Sequence, residues 1–82
     1  MTDEMYAQII DHIRDEIGDV AAYREMCDAA EGYTRDVLRH IVLDEESHAR
    51  YLAHALKKCG REMPADVWEM YEKMEKSFRR YG

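Results

Sequence analysis

Glycines at 32 and 60 and the single proline at 64 divide the chain into three stretches, each patterned for helix and none showing the alternation of a half-buried strand. A helix is expected from about Asp3 to Glu31, closed by Gly32, which can adopt the left-handed conformation that ends helices. Thr34 is the expected N-cap of a second helix running without a breaker to Cys59, where Gly60 supplies the next stop. Pro64 suits the first turn of a third helix reaching about Arg80. The chain thus reads as one all-α domain, residues 1–82, with helices over 3–31, 34–59 and 64–80.

Two helices of roughly 25 to 28 residues joined by so few residues should lie antiparallel, as a hairpin about 40 Å long. In the first, an apolar seam reads Ile9, Ile13, Glu16, Val20, Tyr23, Cys27 and Ala30. In the second it reads Leu38, Ile41, Glu45, His48, Leu52, Ala55 and Cys59. Both seams are apolar except at their middles, where Glu16 and the pair Glu45/His48 stand in core positions. A carboxylate leaving water loses several kcal/mol unless something compensates it, and neither seam holds a Lys or Arg. A bound cation would compensate.

The spacing supports one site. Positions three apart on a helix share a side, so Glu45 and His48 can grip one ion as Glu-x-x-His. With the turn near residues 32 and 33, position i faces about 65 minus i, which puts Glu16 level with His48 and Glu45 about 6 Å along the axis. Dinuclear carboxylate bundles take one Glu from each of two helices and a Glu-x-x-His from each of the other two, so this chain supplies half a set. A homodimer about a two-fold axis supplies the rest. Four carboxylates and two imidazoles then neutralise two divalent ions, and this donor set suits iron or manganese. The competing reading is that all three residues are solvated on a helix surface.

These segments resemble a known family. Glu16-Ile-Gly-Asp-Val-Ala-Ala-Tyr23 has the ferritin and rubrerythrin pattern of a ligand Glu followed seven residues later by Tyr. Leu43-Asp-Glu45-Glu-Ser-His48-Ala-Arg looks like the Glu-x-x-His helix of the same superfamily. The resemblance covers roughly residues 5 to 60 and is closest in layout to the encapsulated ferritins, in which a short hairpin dimerises into a ferritin-like four-helix bundle. It implies a di-iron ferroxidase that oxidises ferrous iron with dioxygen or peroxide for storage or detoxification. Glu16, Glu45 and His48 are carried over as catalytic metal ligands, and Tyr23 as a hydrogen-bonding residue behind them. It also implies an encapsulin shell as partner, although nothing after Arg80 resembles an encapsulin-targeting tail. A rubrerythrin-like peroxide reductase is the enzymatic alternative. It would need an external electron donor, since the chain has no rubredoxin-like cysteine pairs. A metal-free helical oligomer or adaptor is the non-enzymatic one.

The remaining features bound these readings. A formal charge of -6, with both signs interspersed, offers no basic footprint for nucleic acid. No apolar run reaches a membrane span and the N-terminus lacks a signal-peptide pattern, so a cytoplasmic protein is the expectation. Cys27 and Cys59 are too few and too far apart for a disulfide framework and read as free thiols. His12 lies one turn before Glu16 and reads as partly exposed, with metal contact the rarer outcome; His40 and His54 read as surface residues. Asp15, Asp19 and Glu46 form a candidate patch for admitting ions, or simply a solvated face. The third helix gathers Val67, Met70, Tyr71, Met74, Phe78 and Tyr81 on one surface, with Trp68 adjacent. It is expected to cover the bundle of its own dimer or to build a larger ring, its Arg79 and Arg80 complementing the helix dipole.

Overall fold

The computed structural model describes residues 1–81, with side chains through Ser77. Three α-helices follow one another: α1 (Asp3–Ala29), α2 (Gly32–Lys58) and α3 (Ala65–Tyr81). The Thr2 hydroxyl oxygen accepts a hydrogen bond from the Met5 N–H at 3.1 Å, and Asp3 and Glu4 place negative charge at the positive end of the α1 dipole.

The first stop signal works differently from expectation. Gly32 does take a positive φ, +59°, but as the first residue of α2 rather than as the end of α1. Ala30 and Glu31 alone connect the two helices, Glu31 makes no side-chain cap, and Thr34 is already inside α2. A single left-handed residue is enough to redirect the chain, so no longer turn is needed. Gly60 behaves as expected. Its φ is +70°, its N–H donates to Lys57 O at 3.1 Å and the Arg61 N–H donates to Leu56 O at 2.9 Å, the paired bonds of a Schellman end. Lys57 and Lys58 add positive charge where the dipole is negative. Pro64 sits just before α3, where its missing N–H matters least, and its carbonyl accepts from the Trp68 N–H at 2.9 Å.

Contacts to α1 are spread along its length. The Cys27 thiol lies 3.7 Å from Arg35 O near the connection to α2, Glu16 meets His48 midway, and Arg61, just past the end of α2, bonds Asp3 at 2.8 Å at the far end. The Tyr6 hydroxyl donates to Glu62 O, and the Arg61 guanidinium lies over the Tyr6 ring, 5.1 Å from its centre.

The deepest stripe is displaced from the seams read in the sequence. Ile10, Ile13, Ile17, Val20, Arg24 and Cys27 are buried on α1, and Leu38, Val42, Glu46, Ala49 and Leu56 on α2. Ile9, Glu16, Tyr23, Ile41, Glu45, Leu52 and Ala55 are half-buried, and His48 and Cys59 are exposed. The physical reason is α3. It lies against α1 within the same chain, inserting Val67 and Met74 into the core with Met70 and Tyr71 at its edge. The core therefore follows the side of the helix pair that α3 covers. Each fully buried residue of this size, Ile13, Val20, Leu56 or Val67, stabilises the fold by roughly 1.5–3 kcal/mol relative to exposure. The apolar positions of Phe78 and Tyr81 and the basic pair Arg79-Arg80 lie outside the described side chains.

The two thiols are in different surroundings, Cys27 buried and Cys59 exposed, in a molecule 44 Å long. A thiol-reactive dye should label one thiol per native chain quickly, with peptide mapping placing it at Cys59. Cys27 should react only as the chain unfolds. An intrachain disulfide should not form, because its Cα atoms would have to approach to within about 7 Å; rapid labelling of Cys27 or an intrachain link on mapping would contradict the packing.

Candidate metal centre

Glu16 follows the buried Ile13 by one turn and precedes the buried Ile17, so its side chain leaves α1 at the edge of the core. Glu45 and His48 leave α2 from the facing edge, beside the buried Val42 and Ala49. One carboxylate oxygen of Glu16, one of Glu45 and a ring nitrogen of His48 all lie within 4.8 Å of one another, and His48 Nδ1 is 3.6 Å from Glu16 Oε2. The axial register inferred from the short connection thus brings the three side chains together. Tyr23 is half-buried and packs against the core.

The electrostatics of the cluster follow from its crowding. A hydrogen bond with Glu16, partial burial and the Glu16 charge together hold the Glu45 carboxyl above its ordinary 4.5, against the opposing pull of His48. Glu45 therefore retains a proton more readily than an isolated carboxyl would. Glu16 Oε2 is buried and has no hydrogen-bond partner, an uncommon state for a carboxylate oxygen. Hard oxygen donors, one of them without a hydrogen bond, beside an imidazole nitrogen fit a divalent first-row cation such as iron or manganese.

The sign of the pH dependence can be fixed from Glu45. Its pKa in the folded chain lies above the unfolded value, so the folded state binds that proton more tightly and its contribution is favourable at low pH. That contribution is lost as pH rises from the ordinary 4.5 through the raised pKa. Glu46, raised chiefly by burial and opposed by Arg24, acts in the same sense, whereas Asp66, lowered by its hydrogen bond from Arg14, acts in the opposite one. In chelator-treated protein, Glu45→Gln should reduce the fall in thermal midpoint across this window. An unchanged slope would show that Glu45 does not hold the proton.

Other sequence candidates fall elsewhere. His12, Asp15 and Asp19 are exposed and do not join the cluster, and His40 and His54 are exposed as expected. Glu46 requires a correction. Read as part of a solvated acidic patch, it is instead completely buried, at 0% exposure, and ion-paired with Arg24, itself only 9% exposed. The Arg24 guanidinium also donates to Met74 O at 3.3 Å, so one buried ion pair joins α1, α2 and α3. The signal was present in the sequence. Arg24 continues the spacing of Ile10, Ile13, Ile17 and Val20, and Glu46 stands midway between Val42 and Ala49, so each helix has one opposite charge in its core stripe.

Compared with known proteins, the chain matches no family profile, no curated protein and no solved structure. Among the described residues, no helix is long and apolar enough to cross a membrane.

Proposed function

We propose that the chain is half of a ferritin-like bundle: α1 and α2 form an antiparallel hairpin, and two copies related by a two-fold axis complete a dinuclear site that oxidises ferrous iron. The observation that carries this reading is the convergence of Glu16, Glu45 and His48 donors within 4.8 Å. A set of three donors from one chain leaves a cation under-coordinated, and a second copy doubles it to four carboxylates and two imidazoles. The cluster lies on a half-buried strip that includes Ile9, Tyr23, Ile41 and Leu52, apolar surface suited to burial against another copy.

In this reading ferrous iron is the substrate, and the protein's residues bind and position it. Two ferrous ions, each held by carboxylate oxygen and His48 nitrogen, give up one electron apiece. With two protons, the two electrons convert either one dioxygen to one hydrogen peroxide or one hydrogen peroxide to two waters. Four carboxylates favour the higher charge of the ferric product over the ferrous substrate, because electrostatic attraction grows with ion charge. Tyr23, seven residues or about two helical turns beyond Glu16, would in this reading hydrogen-bond a ligand carboxylate.

Anaerobic titration of chelator-treated protein with ferrous iron should saturate at one ion per chain, and admitting oxygen should then raise near-ultraviolet absorbance faster than in a protein-free control. Saturation at one ion per chain without accelerated oxidation would make this a metal-binding protein but not a ferroxidase.

A further inference from the structure

The helix arrangement leaves a second concave feature on a different side of α2 from the metal cluster. Because α3 lies against α1, it stands away from the latter half of α2 and opens a cleft of about 1110 Å³ between them. The cleft is closed at one end by the Gly60 turn and bridged at the other by Arg50, whose Nε lies 2.7 Å from a Glu75 carboxylate oxygen. On α2 the cleft is approached from Arg50, Ala53, His54 and Lys57. At roughly 100° per residue these positions centre roughly 160° round the helix from Glu45, His48 and Leu52. A dimer formed through the metal face would therefore leave the cleft open.

Its lining has a definite chemistry. Leu56, Ala53 and Met63 supply apolar surface, and on the α3 side Trp68 stacks on Tyr71 with ring centres 5.8 Å apart and planes inclined by 22°. Trp68 is nonetheless 48% exposed, so much of its ring is available to another flat group. Arg50, Lys57 and Arg61 set three positive charges against two carboxylates, Glu62 and Glu75, for a local balance of +1 in a chain of -6. Glu75 is already engaged by Arg50. Arg61 donates both to Met1 O at 3.0 Å and to Asp3, whose side chain is 94% exposed and can be exchanged for another anion.

We propose that this cleft binds a planar aromatic anion of nucleotide size, its ring against Trp68 and its anionic group at Lys57 and Arg61. An aromatic face next to cations attracts a flat ring through stacking and a phosphate or carboxylate through charge. The volume suits a small-molecule site of this class. The site does not depend on iron, and its test can fail without touching the metal centre.

Trp68 is the chain's sole tryptophan, so its emission reports on the cleft directly. Chelator-treated full-length protein should be titrated with flavin mononucleotide, with riboflavin as the uncharged ring and inorganic phosphate as the ringless anion. The proposal expects saturable quenching by flavin mononucleotide, at least ~10-fold weaker binding of riboflavin and of phosphate, and a similar loss in Lys57→Glu. Lys57 is exposed, and an unchanged helical circular dichroism spectrum confirms that the variant folds. Following bound flavin by anisotropy, Trp68→Leu should weaken binding as well. Non-saturable quenching, equal affinity for riboflavin, or an unaltered Lys57→Glu variant would overturn the proposal. So would emission that shifts with protein concentration but not with flavin, which would show a second copy of the chain filling the cleft.

Discussion

Replacing Glu46 by alanine should destabilise the fold by about 3–5 kcal/mol, because it leaves the Arg24 guanidinium buried without its carboxylate. A chain of this length holds roughly 4–12 kcal/mol in all, so the variant should be largely unfolded at modest temperature. Arg24→Met alone should do comparable damage, stranding a carboxylate at 0% exposure. Combining Arg24→Met with Glu46→Leu should recover most of the loss, since apolar residues of similar volume can replace a buried ion pair at little cost. Urea unfolding of the four proteins compares the two losses with the recovery. A Glu46→Ala midpoint close to that of the parent would mean that the three-helix junction is not organised around this pair.

The neighbouring residue should behave in the opposite way. Glu45→Ala, His48→Ala or Glu16→Ala should each reduce iron oxidation by more than ~100-fold while the chain stays helical, since groups that merely orient ligands already contribute 10–100-fold. In the proposed dimer each change would delete two donors but no residue of the deepest core stripe. Glu46→Ala cannot serve as the inactive-site control, because its effect would come through unfolding. Asp36→Ala, exposed on α2, is the appropriate one. Stopped-flow iron oxidation at matched helicity separates the outcomes, and parental rates in any of the three site variants would remove that residue from the site.

This contrast between adjacent glutamates marks the boundary of what the sequence discloses. The number of helices was legible because glycine and proline act locally through backbone geometry, although Gly32 opens α2 and does not close α1. The meeting of Glu16 with Glu45 and His48 was legible too, since a short connection between two long helices sets which positions are level. Depth was not. Rotating the buried stripe by one residue exchanges Glu45 for Glu46, and the rotation is set by α3, whose packing on α1 depends on contacts distant in sequence. Arg24 was missed for the same reason. A seam that omits it contains no cation, so the buried carboxylate appeared to require a metal when one of the two glutamates already had an arginine. Glu16 and Glu45 have no such partner in the cluster, and the metal reading rests on them and His48.

Whether the site is shared between two copies is decided by sedimentation velocity of chelator-treated protein with and without ferrous iron or cobalt. Without metal, association would gather four carboxylates where like charges repel, with Glu45 already held above its ordinary value by Glu16, so the metal-free dimer should be weak. Ions that bind the dimer but not the separated chains favour it by about 2.7 kcal/mol per site at a hundredfold excess over their dissociation constant. Metal should therefore move the population from monomer to dimer or larger assemblies at one ion per chain, and acidification should reverse the shift as protons compete for the ligands. Monomers that bind two ions each, with no change in sedimentation, would contradict the shared site.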